Sequence, residues 1–210
     1  KTTFLKKLLD IYCDEVIFEP CDEWQNVNGH NLLQKFLSDM RKWAYPFQSY
    51  ALLTRTRKIE MALKERNGKN LFFCERSIFV DYNMFGKTCY RLKNMSEIEW
   101  SLYNSWYEWL VKYCMTIPFV FVYLRVSPDI AYKRICKRAR IEEKNFPISY
   151  LNSLYELHEE MFVNKSIKNS SFGINPEVLV LDWNFDIEKD KNSLDDSVME
   201  ICEFLKNNCL

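Results

Sequence analysis

Four short runs of consecutive apolar residues constrain this chain more than any other feature. They lie at 16–18, 71–74, 119–124 and 178–181, and β-branched or aromatic side chains dominate them. None alternates polar with apolar, so each reads as a strand covered on both faces, the habit of parallel strands in an α/β sheet. Helical patterns fill the intervals at 30–41, 46–66, 77–91, 96–113, 128–139, 147–166 and 193–208. An amphipathic helix opens the chain, with Leu5, Leu8, Leu9 and Tyr12 at helical spacing. Strand and helix in alternation imply right-handed crossovers. Four glycines and six prolines are too few for the many tight turns of an all-β fold. The expectation is one α/β domain over residues 1–210, without repeat or linker, in which only "IKNSSFGINPE" reads as a loop of any length.

Charge excludes several partners. Lys plus Arg and Asp plus Glu both number 29, so no global field draws the chain to nucleic acid or an anionic membrane, and any anion binding is local. Eight cysteines are scattered without a C-x-x-C pair, which argues for reduced thiols inside a cell rather than a disulfide framework or zinc site. No apolar run reaches membrane-spanning length, and no signal peptide is visible. The reading is an intracellular protein, in the cytoplasm rather than the mitochondrion.

Open parallel sheets bind ligands at the carboxyl ends of their strands, and the sequence places charge there: Glu19-Pro20, Glu75-Arg76-Ser77, Arg125 and Asp182. In "VIFEPCDEW" a carboxylate leaves a strand and is held by the fixed φ of proline, where partial burial is expected to raise its pKa toward a general base's range; the plainer reading is a cap. In "LFFCERSIFVDYNMF" Ser77 reads as a helix N-cap, with Arg76 beside it to hold a phosphate or a hydroxyl. "AYKRICKRARIEEKNFP" packs Arg134, Arg138 and Arg140 into a few turns before Glu142 and Glu143. That density of guanidinium groups suits an anion and a mobile lid at about 134–146, although a solvated basic face is the commoner meaning.

Phosphoryl transfer needs a phosphate cradle, a magnesium ligand, a base and cationic closure. Lys1 and Thr2 of the opening "KTTF", Glu19, and Arg138 with Arg140 fill those posts, with Glu75 as a magnesium carboxylate. The glycines of the cradle and the strand before them are expected upstream of residue 1, which makes the domain N-terminally incomplete.

"EPCDEWQNVNG", "NLLQKFLSDMRKWAYPFQSYALLTR", "ERSIFVDYNMF" and "YLRVSPDIAYKRICKRARIEEKNFPISYLNSLYELHEE" resemble the deoxynucleoside kinases, in the family's order and over essentially the whole chain. The resemblance implies a P-loop kinase fold, a five-stranded parallel sheet flanked by helices, and a homodimer formed through helices. It implies ATP- and Mg2+-dependent phosphorylation of the 5′-hydroxyl of a deoxynucleoside. Glu19 matches the base, Arg76 the arginine joining base and hydroxyl, and Lys1, Thr2 and Thr3 the phosphate-binding end of the loop. Gln48 matches the nucleobase-reading amide, and Trp24, Leu33, Phe36 and Phe85 line the substrate pocket. Arg134, Arg138 and Arg140 match lid arginines, and Phe185 and Asp186 the loop that meets the donor base. Arg55 and Asp81 match a charged pair beside the nucleobase that thymidine-preferring members replace with apolar residues, which implies deoxycytidine or purine deoxynucleosides over thymidine. Leu37 departs from the pattern, standing where the family has a tyrosine that donates to the 3′-hydroxyl; Glu143 is the remaining candidate for that contact. A thymidylate-type kinase and a non-catalytic nucleotide-binding remnant of the same fold are the alternatives.

Overall fold

Helix α1 (Thr2–Ile11) turns Phe4, Leu5 and Leu8 inward, where they meet Leu181 and Trp183 and the apolar side of α10 (Lys191–Asn208) through Leu194, Val198, Ile201 and Leu205. Leu9, on the other face, is exposed, and Tyr12 lies outside the described residues. The computed structural model describes residues 2–11, 15–65, 68, 71–114, 118–144, 146–164 and 176–208. Lys1 and most of the loop segment 167–177 lie outside them.

The four apolar runs are strands: β1 (Glu15–Ile17), β2 (Phe72–Cys74), β3 (Phe121–Arg125) and β4 (Val178–Asp182). β1 pairs with β2 in parallel, Val16 opposite Phe73, and β3 with β4 in parallel, Tyr123 opposite Val180. The expected five-stranded sheet is not present among the described residues, which form two separate two-stranded sheets. The four strands of the described residues pair two by two. Nor are the strands fully covered: most of their residues are half-buried, and Cys74 and Val180 are exposed.

Helices supply most of the remaining mass. α2 (Cys21–Gln25) and α3 (Leu32–Ser38) lead to α4 (Met40–Lys64), a helix of 25 residues that runs straight through Pro46. The break expected before Pro46 falls instead at Asp39, whose carboxylate accepts from the Lys42 amide and starts α4 early. The expected helix over 77–91 is one helical run with an irregular middle: α5 (Ile78–Val80), a π-helical turn (Asp81–Gly86) and α6 (Lys87–Arg91). Gly86 permits close packing there, since a Cβ would overlap Tyr103 Cε1 and lie 3.1 Å from Cζ. α7 (Glu97–Cys114), α8 (Pro128–Arg138) and α9 (Ile148–His158) follow, α9 widening into a second π turn (Glu159–Val163). Trp24, Phe36, Phe47, Leu52, Ile78, Met84, Tyr103, Tyr150 and Phe162 join α2 to α9 in the main core.

Candidate active site

β1 delivers the chain through Phe18 to Glu19, and guanidinium groups from two elements reach that carboxylate. Arg55, on α4, donates from Nη2 to Glu19 Oε1 at 2.7 Å, and Arg76, just beyond β2, donates from Nη1 to the same oxygen. Among the described residues, Oε2 keeps only the Cys21 thiol, at 3.7 Å. Arg55 also donates from Nε to Asp81 Oδ2 at 2.6 Å and from Nη1 to the Glu75 carbonyl at 2.8 Å. Arg55 and Asp81 are 3% and 2% exposed, so these are desolvated, charge-assisted bonds.

The expected upward pKa shift of Glu19 is reversed. Burial does push the carboxyl up, but the adjacent Arg76 and Arg55 guanidinium groups outweigh it and hold the pKa at about 2. The sequence showed one arginine near the acid; the fold brings two. Asp81 goes the other way, its pKa raised by burial against the pull of Arg55.

Arg76 adopts a left-handed backbone (φ 71°), an uncommon state for a residue with a Cβ, and stacks over the Phe85 ring at 4.7 Å. Its buried Nε has no hydrogen-bond partner among the described residues. Ser77 caps the next helix as expected, its hydroxyl accepting from the Val80 amide. The π turn then sets Asp81 toward Arg55 and Phe85 beneath Arg76.

An aromatic wall continues the site. Trp24 donates to Thr54 Oγ1 at 3.0 Å, underlies Arg55 at 5.6 Å, and meets Phe47 edge-on; Phe47 stacks on Phe36 at 4.6 Å. Leu33 is buried beside them and Leu37 half-buried against the same core. Gln48, 1% exposed, donates from Nε2 to Cys89 Sγ at 3.7 Å, and Cys89 lies 3.9 Å from the Tyr150 hydroxyl. Burial pushes Cys89 up to about 12, so it remains a thiol.

At the start of α1, the Thr2 hydroxyl lies 3.1 and 3.2 Å from the two oxygens of Glu75. A hydroxyl and a carboxylate are hard oxygen donors, and Mg2+ typically takes one or two protein carboxylates together with substrate phosphates; the pair therefore fits that ion. Thr3 is exposed on the same first turn, and Lys1 lies outside the described residues. In the segment expected to form a lid, Arg138 grips Glu143 through Nε at 3.1 Å and Nη2 at 2.6 Å, while Arg140 lies 3.9 Å from both Glu143 and Cys21 Sγ. Arg140 and Glu19 thus meet across one thiol. Arg134 stands apart, its Nη2 donating to the carbonyls of Trp183 and Phe185 at 2.8 and 2.7 Å, with Asp186 close by.

Four connections were missed. Arg55 reaches Glu19, and its spacing from Gln48, Ala51 and Leu52 on one helical face was the available signal. Cys89 and Tyr150 buttress Gln48. Glu142 accepts from Gln25 Nε2 at 2.8 Å and Asn31 Nδ2 at 2.9 Å, fastening the segment after α8 to α2 and to the cap of α3. Arg125 binds Glu159 bidentately, joined by the Tyr123 hydroxyl. The last three join residues more than thirty positions apart, and nothing in the local sequence marks them.

Comparison with known proteins bears on this geometry. The deoxynucleoside kinase family model matches residues 1–206. A probable deoxycytidine kinase of Fowlpox virus (strain NVSL) is 33% identical over 94% of this chain and 82% of its own length. Deoxycytidine kinase of Homo sapiens is 31% identical, covering 98% of this chain and 87% of that protein. Mitochondrial thymidine kinase 2 of Homo sapiens is 32% identical over 90% and 68%.

Proposed function

We infer the reaction from a plain premise: the chain belongs to the deoxynucleoside kinase family. The reading is ATP-dependent phosphorylation of the 5′-hydroxyl of a deoxynucleoside, with deoxycytidine or a purine deoxynucleoside preferred over thymidine. The observation that carries it is the Glu19 carboxylate, held through Oε1 by Arg55 and Arg76, with Oε2 met among the described residues by a thiol alone. That oxygen accepts the hydroxyl proton as the new O–P bond forms and the β–γ bridge of the donor breaks. Arg76, beside Glu19 and over Phe85, orients the hydroxyl. Thr2 and Glu75 would hold Mg2+, Phe185 and Asp186 would meet the donor base, and Arg138 and Arg140 would close over the phosphates on leaving Glu143. The bound Mg2+–ATP supplies the electrophilic phosphorus.

Gln48 reads the nucleobase between Trp24, Leu33, Phe36 and Phe85. A 5-methyl group set against the buried Arg55–Asp81 pair would strip that pair of compensation, which disfavours thymidine. A homodimer is supported by an exposed stripe along α7, where Ile98, Leu102, Trp106, Trp109 and Tyr113 recur every three to four residues beside Leu53 and Met61 of α4. No helix among the described residues is long and apolar enough to cross a membrane.

The test is a panel of the four deoxynucleosides and their monophosphates as acceptors, with radiolabelled ATP. Label in deoxycytidine or purine monophosphate, with little from thymidine, supports the reading. Label passing only to monophosphates replaces it with a nucleotide kinase, and no transfer refutes it.

A further inference from the structure

Arg55 does more than its pairing with Asp81 requires. Its three kinds of nitrogen are all in use on three chain segments: Nε on Asp81 in the π turn, Nη1 on the Glu75 carbonyl at the end of β2, and Nη2 on Glu19 beyond β1. A planar guanidinium with fixed donor directions cannot move toward one partner without leaving another. Both cations on Glu19 choose Oε1, so the carboxylate is pinned by one oxygen while the other accepts from the Cys21 thiol.

We propose that Arg55 is a positioning residue for Glu19: anchored by Asp81 and the Glu75 carbonyl, it fixes the carboxylate so that Oε2 alone is presented to the acceptor hydroxyl. The pair that discriminates nucleobases and the group that takes the proton are therefore joined through one side chain. This rests on the phosphoryl-transfer reading and adds to it that a change at the nucleobase end of the site alters chemistry at the hydroxyl end.

The groups facing Glu19 define what the experiment sees. Arg55 comes from α4, Arg76 from the turn after β2 and Cys21 from α2; Asp81 lies behind Arg55, Glu75 beside Arg76, and Arg140 reaches Cys21 from the lid. Arg76 remains when Arg55 is removed, so any change reports the Arg55 contribution. Removing Arg55 alone strands Asp81 without its partner, so the variant is the pair Arg55→Met with Asp81→Asn.

Two readouts are needed. In protein carrying 13C-carboxyl glutamate, the resonance lost in Glu19→Gln identifies Glu19. In the wild type it should not titrate between pH 7 and pH 4, and in the double variant its midpoint should rise by about 1–3 units. This arm requires no activity, so it judges the inference even if the wild type transfers no phosphate and the proposed function fails. In steady-state kinetics with deoxycytidine, the double variant should lose at least about tenfold in kcat, with its acid limb displaced upward. Arg55→Lys keeps the charge, but one ammonium cannot hold three acceptors at once; it should lower kcat while the Glu19 resonance stays near its wild-type position. An unmoved Glu19 resonance in the double variant overturns the inference. So does a change confined to KM, or full kcat in Arg55→Lys.

Discussion

Glu19→Gln tests the charge state of the site through stability as well as through turnover. In the folded protein the Glu19 pKa is about 2 against an ordinary 4.5, a depression of roughly 2.5 units, worth about 3 kcal/mol. Its side chain is 11% exposed, so solvent screening removes little of this. A depressed carboxyl stabilises the fold fully above its unfolded pKa of 4.5, and that stabilisation drains away as pH falls toward 2. Glutamine has no carboxyl to ionise, and it takes from Arg55 and Arg76 the carboxylate they share, leaving Arg55 with Asp81 alone. The stability gap between wild type and variant should therefore be about 3 kcal/mol at pH 7, about 2.5 at pH 4 and about 1.5 at pH 3. Urea unfolding followed by tryptophan fluorescence at those pH values measures it. The same variant should keep nucleoside binding and lose turnover by about 10²–10⁴-fold, as expected when only the proton acceptor is removed. A gap that does not change with pH would refute the idea that two guanidinium groups hold Glu19 ionised, and unimpaired turnover would remove it from the chemistry.

Gly86→Ala gains up to about 1 kcal/mol in helix propensity but drives a methyl into the buried Tyr103 ring, so a net loss within about 1–3 kcal/mol should appear in thermal or urea melts; an unchanged midpoint contradicts the packing described. Leu37→Tyr should sharpen discrimination against 3′-deoxy analogues, measured as the ratio of kcat/KM for deoxycytidine and its dideoxy counterpart; an unchanged ratio removes Leu37 from the sugar site. Trp106→Glu with Trp109→Glu places two charges on the exposed α7 stripe and should convert a dimer to monomers in sedimentation velocity without unfolding the chain. A wild type that sediments as a monomer would show that the stripe serves some other contact.

The sequence was most informative where function depends on what leaves a strand. Unbroken apolar runs located β1 to β4, and the charged residues just past β1 and β2 are those the fold gathers around Glu19. It was misleading where a local rule competes with tertiary structure. Pro46 suggested a helix start, but the Asp39 cap had already begun α4. Uniform helical spacing over 77–91 concealed a π turn, because an inserted backbone residue leaves side-chain chemistry unchanged while altering its direction. The pKa of Glu19 was misjudged for a related reason: burial can be read from neighbouring apolar residues, whereas Arg55 is 36 positions away and reaches the acid only after α4 has packed.

The widened turn at Asp81–Gly86 also bears on how this region can vary. An α-helix advances about 100° per residue, so the extra residue accommodated there puts α5 and α6 out of phase by about that angle. Asp81 and Phe85 can then serve two different arginines while Cys89, further along, still comes to rest against Gln48. Exchanging one side chain in the segment edits a single contact. Deleting one residue would rotate every later position away from its partner at once, which makes the stretch tolerant of altered spelling and intolerant of altered length.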